Sequence, residues 1–400
     1  MKRTALLFAP AGPLFSAEGI VTEKFITMLE NQGWLIYWIY HNNDQIPNKK
    51  SNYIGINNRI LINISTRLRQ IPFLNQIKRI DSFIWVLKAY IIGKRILKTE
   101  NINIIFSRIM PAYGHLPALF LSKKYEIKWI ANWSDPMPRI KAPIPYGNGA
   151  KANISFLSIL YLKQICKNAS YHSFPSEELK KHYQLYCNIE DYKSIILPHI
   201  SLQIKLNPSK TKHNNSTLTI SHIGGGLRQR NPSFFFQALS KIIQMPNYKT
   251  LDIRVLFVGQ IEGDIINAIK ASPLKDIVFL RDKVTYIDSL YLINNSDIIL
   301  LLEANMENGI FLPSKLSDIV AIGKPLLAIS PKKGTVKRLL TDYGGGIVVD
   351  CNSINDIENG LKTIIDDWIT DKCSNNRYSP KALQKLFSSE TVYSTLSKYL

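Results

Sequence analysis

The stretch Phe311-Leu312-Pro313-Ser314-Lys315-Leu316-Ser317-Asp318-Ile319-Val320-Ala321-Ile322-Gly323-Lys324-Pro325 follows one apolar run, Asp297 to Leu302, and precedes another, Leu326 to Ile329. The flanking runs read as strands of a parallel sheet, and the stretch between them as a short helix. Gly323 is a typical helix stop, and Pro325 forbids continuation. The helix N-terminus then points out of the carboxyl edge of the sheet, where backbone N–H groups and the helix dipole favour an anion. Lys315 and Asp318, three residues apart, share one helix face. A cation and a carboxylate there suit a diphosphate and a ribose. A solvated Lys–Asp pair on a surface helix is the alternative.

Working outward, strands and helices alternate twice along the chain. The first half opens with strand Thr4–Ala9, the loop Pro10 to Gly19, and a helix with Val21, Phe25, Met28 and Leu29 on one face, ending at Gly33. Strands follow at Trp34–Tyr40, Ile102–Phe106, Ile127–Ala131, Tyr171–Phe174 and Lys193–Leu197, with Ser176 placed to cap a helix. Residues 200–216 are polar and aperiodic and read as a linker or an entrance loop. The second half repeats the logic. Strand Thr217–Ile223 leads into Gly224-Gly225-Gly226-Leu227-Arg228-Gln229-Arg230-Asn231-Pro232 and a helix from Ser233. Strands at Ile253–Val258, Ile277–Leu280 and Ile347–Val349 flank the central pair, and helices run at about 286–293, 354–368 and 380–399. This is a doubly wound α/β pattern in two domains, expected over 1–199 and 200–380, with residues 381–400 as a helix crossing back to the first domain.

The 400 residues are 46% hydrophobic and carry 50 Lys and Arg against 30 Asp and Glu, enough apolar content for two cores. No run of 18 apolar residues exists, and the basic start Met1-Lys2-Arg3 precedes too short an apolar run for a signal peptide, so a cytoplasmic location is expected. Four scattered cysteines, Cys166, Cys187, Cys351 and Cys373, indicate neither a disulfide framework nor a zinc site. The basic excess is uneven. Residues 1–199 hold 26 basic against 12 acidic groups, and segment 59–98 holds nine basic residues against Asp81 alone. Phe73, Phe83, Trp85 and many Ile and Leu residues are interleaved there. Such a segment suits peripheral contact with an anionic membrane surface. Nucleic acid would need a binding-fold signature that the sequence lacks, so none is expected as a partner; a Lys, Asn and Ile bias in overall composition is the bland explanation.

Several further pieces carry a family resemblance. Trp129-Ile130-Ala131-Asn132-Trp133-Ser134-Asp135-Pro136, Phe174-Pro175-Ser176-Glu177 and Leu197-Pro198-His199 stand in order in the first half. Ile223-Gly224-Gly225-Gly226, Arg230-Asn231-Pro232, Val258-Gly259, Pro313-Ser314-Lys315 and Gly323-Lys324-Pro325 stand in order in the second. Together, over nearly the whole chain, these resemble the GT-B glycosyltransferases, in particular the retaining group-1, GT4-like enzymes of bacterial surface polysaccharides. The resemblance implies two Rossmann-like domains facing across a cleft, the first binding acceptor and the second a nucleotide-sugar donor. It implies transfer with retention of the anomer onto a lipid-linked or growing glycan in capsule or O-antigen type synthesis, on the inner face of the cell membrane.

The expected chemistry is departure of a diphosphate stabilised by cations and helix N-termini. No Asp-x-Asp sequence is present to hold a divalent metal, so no metal and no cofactor is expected. Lys315 is the first diphosphate ligand, and Arg230 the second in preference to Arg228. Gly224, Gly225 and Gly226 would admit the phosphates close to the backbone, unless they only make a tight turn. Pro313, Ser314 and Gly19 complete the donor-binding set, and by resemblance Asp318 takes the ribose. The family's earlier glutamate falls on Ile310 here, leaving Glu307 or Glu303 to hold the sugar. In the first domain, Arg108 to His115 resembles a loop beside the acceptor, which makes His115 a catalytic candidate near neutral pH. Ser16 and Asp135 are acceptor-side candidates. Two alternatives stay open: a non-hydrolysing nucleotide-sugar epimerase of the same two-domain build, and an inactive scaffold paralogue. The absent Gly-x-Gly-x-x-Gly after the first strand disfavours a dinucleotide enzyme.

Overall fold

A computed structural model describes residues 3–13, 16–42, 50–57, 80–202, 217–225, 227–373 and 375–400. The chain forms two compact units. One comprises Met1–Ala142, Ala150–Ile200 and Val392–Leu400; the other comprises Pro143–Gly149 and Ser201–Thr391.

The first unit is built on seven parallel strands: β1 (Arg3–Phe8), β2 (Trp34–Asn42), β3 (Tyr53–Asn57), β4 (Ile104–Arg108), β5 (Trp129–Asn132), β6 (Tyr171–Phe174) and β7 (Ser194–Ile196). Their order is β3-β2-β1-β4-β5-β6-β7, so the winding reverses between β1 and β4. Ala5, Leu6, Leu7 and Phe8 are all fully buried, as a central strand covered on both faces must be. Among the described residues, five α-helices accompany the strands: α1 (Ala17–Asn31), α2 (Ile80–Thr99), α3 (His115–Tyr125), α4 (Phe156–Asn168) and α5 (Glu177–Gln184). Ser16 caps α1 by accepting from the Gly19 N–H at 3.2 Å, and Ser176 caps α5 by accepting from the Leu179 N–H at 3.2 Å.

The second unit carries six parallel strands: β8 (Thr217–Ile223), β9 (Asp252–Val258), β10 (Val278–Arg281), β11 (Ile298–Leu302), β12 (Leu326–Ser330) and β13 (Gly346–Asp350). The order β10-β9-β8-β11-β12-β13 puts its reversal between β8 and β11. Along β11, Ile298, Leu300 and Leu302 enter one core and Ile299 and Leu301 the other, which is why the run is apolar without alternation. The helices are α6 (Ser233–Ile242), α7 (Gly263–Lys270), α8 (Tyr286–Asn294), α9 (Ser314–Ile322), α10 (Thr335–Tyr343), α11 (Ile354–Ile369), α12 (Lys381–Phe387) and α13 (Ser389–Ser397). The decisive stretch is indeed a helix, α9, closed by Gly323 at φ 80°.

Several elements escaped the sequence reading. Strand β3 is a short edge with Gly55 at its centre, and α7 and α10 start at or beside a glycine. In α4, Phe156 and Leu157 are about three-quarters exposed, which hides the apolar period. The terminal helix expected from 380 to 399 is two helices. Ser388 is extended between them and caps the second by accepting from the Thr391 N–H at 3.2 Å. Helix α12 belongs to the second unit, so the return to the first is made by residues 392–400 instead of 381–400. Of the expected linker, 203–216 lies outside the described residues, as does 58–79 of the basic segment. No described helix is long and apolar enough to cross a membrane.

Candidate functional site

In an open doubly wound sheet the ligand crevice lies outside the carboxyl ends of the strands where the winding reverses. In the second unit that place is bounded by Gly224 after β8 and Glu303 after β11. The backbone is drawn tight here. Gly224 donates its N–H to the Val258 carbonyl at 2.9 Å. Gly259, at φ 133°, lies so close that a Cβ on it would stand 2.3 Å from the Gly224 oxygen. Gly225 is exposed, and a Cβ on it would meet open space; Gly226 lies outside the described residues.

Helix α9 begins with Pro313 as N-cap, which offers no side-chain hydrogen bond to the first turn. Lys315 Nζ donates to Ser289 Oγ at 2.9 Å, stands 3.7 Å from Asp318 Oδ2, and lies 5.3 Å from the centre of the Tyr286 ring. Tyr286 donates its hydroxyl to Asp318 Oδ1 at 2.8 Å. The facing turns of α8 and α9 thus hold a lysine, a carboxylate, a phenol and a hydroxyl as one group. Asp318 is 3% exposed, beneath the others, while a quarter of the Lys315 side chain meets solvent.

The two arginines after β8 separate clearly. Arg228 is 79% exposed and only 3.9 Å from Glu262. Arg230 is half-buried and donates Nε–H to the Tyr146 hydroxyl at 3.1 Å. Glu303 is buried and accepts from Ser330 Oγ at 2.6 Å. Burial raises its carboxyl to about 7, against the opposing pull of the Ser330 hydroxyl and the Arg230 charge. His222, on β8, gives Nδ1–H to the Leu300 carbonyl at 3.1 Å, so its lone pair is at Nε2, which is buried without a partner in front of Gly224. Burial lowers this imidazole to about 4, so it is neutral. Glu307 is exposed on the loop, and buried Ile310 fills the position where the family glutamate would stand. Among the described residues no group of three or more His, Cys, Asp or Glu is arranged to hold a metal ion.

The first unit treats its reversal point differently. Arg108 Nε donates to Glu18 Oε1 at 2.8 Å, and both side chains are largely buried. Ser134 donates to the same carboxylate oxygen at 3.1 Å and stands 3.4 Å from Arg108 Nη2. The cation is neutralised from within, beside a cavity of about 30 Å³ that also borders Asn132 and Ser173. Ser16 is spent as the α1 cap, and Gly19 is required because a Cβ there would meet the Gly12 carbonyl at 2.0 Å. The Asp135 carbonyl accepts from the Tyr183 hydroxyl at 2.7 Å.

His115 departs from expectation. It is fully buried, bonded through Nδ1 to Ser107 Oγ at 2.7 Å and packed at 4.6 Å against the Trp133 ring. Burial lowers it to about 3, so it is neutral and presents no edge to a substrate in this conformation. The segment expected as a loop from Arg108 to His115 is strand end at Arg108, a 3-10 turn at Ala112–Gly114 and helix from His115, and Trp129 and Trp133 close over the ring.

Sequence reasoning missed Tyr146, Tyr286, Ser289, Ser330 and His222. Tyr286 and Ser289 carried a legible signal, being three residues apart on a helix beside the key one. Tyr146 carried none.

No protein-family model and no curated protein matches the sequence. Solved structures do match. A sucrose-phosphate synthase of Thermosynechococcus elongatus superposes with a TM-score of 0.70 at 13% identity, over 99% of this chain and 98% of that one. A glycosyltransferase of Rickettsia africae gives 0.67 at 15% identity, over 100% and 98%. A Listeria monocytogenes protein described as a UDP-N-acetylglucosamine 2-epimerase gives 0.57 at 11%, over 99% and 95%. The chain therefore has the two-domain GT-B fold of glycosyltransferases. An epimerase shares it, so the fold alone does not name the reaction.

Proposed function

We propose that the chain is a glycosyltransferase whose second unit binds a nucleotide-sugar and whose first unit binds the acceptor. The observation that carries this reading is that Arg230, on the loop after β8, and Lys315, in the first turn of α9 after β11, both follow the strands between which the winding of the second sheet reverses. Two cations and the positive end of a helix dipole stabilise a departing diphosphate without help from a metal ion. In the proposed complex Lys315 and Arg230 hold phosphate oxygens, and Gly224 with Gly225 lets the backbone approach them. A ribose hydroxyl takes the Asp318 oxygen now occupied by the Tyr286 phenol. Glu303, with its carboxyl raised by burial, and the neutral imidazole of His222 floor the site toward the sugar. Anomeric retention and a lipid-linked or growing surface glycan as acceptor follow the family resemblance. Contact with the inner face of the membrane is supported by α2, whose exposed stripe of Phe83, Leu87 and Ile91 adjoins exposed Lys88 and Arg95.

The test is thermal unfolding with UDP, GDP, CMP and NAD, each with and without EDTA. A shift with one nucleoside diphosphate that survives EDTA and is lost in Lys315→Ala supports the reading. A shift with NAD alone, or with none, removes it. The shared epimerase fold keeps one rival, which product analysis separates: a transferase releases nucleoside diphosphate only when acceptor is added, and an epimerase interconverts the sugar without one.

A further inference from the structure

Residues Pro143–Gly149 come from the middle of the first half of the sequence, yet they belong to the second unit. Their sequence, Pro-Ile-Pro-Tyr-Gly-Asn-Gly, builds a turn in which the Pro143 carbonyl accepts from the N–H of Tyr146 at 2.9 Å and of Gly147 at 3.1 Å. The turn presents Tyr146 to two elements at once. Its hydroxyl accepts from Arg230 Nε, and its ring meets Phe311 edge-on with centres 5.2 Å apart at 76°. Phe311 lies four residues before Lys315. One side chain therefore links the arginine of the glycine loop to the segment that delivers the lysine.

The chemistry of guanidinium makes this link directional. Of its five N–H groups, the one on Nε is taken by Tyr146, and the four on the Nη atoms form the fork that matches two phosphate oxygens. Among the described residues Arg230 forms no salt bridge, so no carboxylate occupies that fork. Arg228, two residues earlier and 79% exposed, shows what an arginine on this loop does without such a tether.

We propose that Tyr146 is a positioning residue for the nucleoside-diphosphate site: its hydroxyl fixes the Arg230 plane through Nε, and its ring on Phe311 sets the spacing between Arg230 and Lys315. The inference rests on the donor-site reading above. Without the tether Arg230 must be ordered by the ligand itself, and affinity falls by that cost.

The experiment is calorimetric titration with UDP and GDP of the wild-type chain, Tyr146→Phe, Tyr146→Ala, Arg230→Ala and the double variant Tyr146→Phe/Arg230→Ala. Tyr146→Phe keeps the ring contact and should raise Kd about 3- to 10-fold, the cost of ordering one rotamer-rich side chain on binding. Tyr146→Ala should raise it further. In the Arg230→Ala background Tyr146→Phe should change nothing more, because its effect passes through the arginine. Unchanged melting temperature in Tyr146→Phe separates positioning from folding. If Arg230→Ala weakens binding while Tyr146→Phe matches wild type, or if the two losses add, the positioning role is overturned and the donor site stands. If neither nucleotide binds the wild type, or Arg230→Ala binds as well as wild type, the donor-site reading falls and takes this inference with it.

Discussion

The two sheets share one reversal of strand order, but their carboxyl edges are finished in opposite ways. In the first unit Arg108 and Glu18 meet at 2.8 Å, Ser134 joins them, and the charge is closed on itself. In the second unit Arg230 meets a phenol hydroxyl at 3.1 Å, Lys315 meets the Ser289 hydroxyl at 2.9 Å with the Asp318 carboxylate 3.7 Å away, and a buried carboxyl is raised toward neutrality. Topology makes a crevice in both places, and each unit holds one buried imidazole nitrogen without a partner, on His115 and on His222; what differs is that the arginine of the first edge is closed by a carboxylate and that of the second by a phenol. The first edge is a brace.

Acid should expose the contrast most strongly. His115 and His172 in the first unit are lowered to about 3 and about 4, and His222 in the second to about 4, each by burial. A lowered imidazole stabilises the fold above the unfolded value near 6.5. That contribution is lost as pH falls from there toward the folded value, because the unfolded chain takes up the proton first. At about 1.4 kcal/mol per unit for each histidine, the first unit should lose about 4 kcal/mol by pH 5; in the second the loss of about 2 kcal/mol from His222 is largely offset by Glu303, whose raised carboxyl gains stability over the same fall in pH. Hydrogen exchange read separately in β4 and β8 checks this; equal losses would break the comparison.

Next in size is the brace itself. Glu18→Ala leaves Arg108 buried and uncompensated and should cost about 3–5 kcal/mol in denaturant unfolding, with nucleotide affinity retained. Lys315→Ala should do the reverse, weakening UDP or GDP about 10- to 100-fold in titration, the worth of a charged hydrogen bond, with a change in stability of about 1 kcal/mol or less. The smallest effect is expected from Glu303→Gln. A raised carboxyl stabilises below its unfolded value near 4.5 and loses that contribution as pH rises through about 7. The variant should therefore flatten the fall in melting temperature between about pH 5 and 7, and an unchanged slope would remove Glu303 as the group responsible.

Much of this was legible in the chain. Every strand expected from an apolar run is present within two residues or so of its expected bounds, because strands buried on both faces leave unbroken hydrophobic runs. Helix α9 was legible from Gly323 and Pro325. The candidate site was legible only where one segment carries it, as with Lys315 and Asp318. Tyr146 sits some eighty residues from Arg230, and nothing local marks their meeting. His115 shows the converse: its type and loop suggested chemistry, but Trp129 and Trp133, fourteen and eighteen residues on, decide that it is buried.

The last residues of the chain set a timetable. Tyr393 accepts from Arg3 Nη1 at 3.1 Å and from Trp34 Nε1 at 3.2 Å, and Tyr399 packs on Tyr171 and accepts through its carbonyl from Lys128. A ribosome makes these residues only after the whole of the second unit. The half of the protein translated first is therefore completed only after the other, and β1 and β2 wait on the ribosome for partners encoded beyond the second unit.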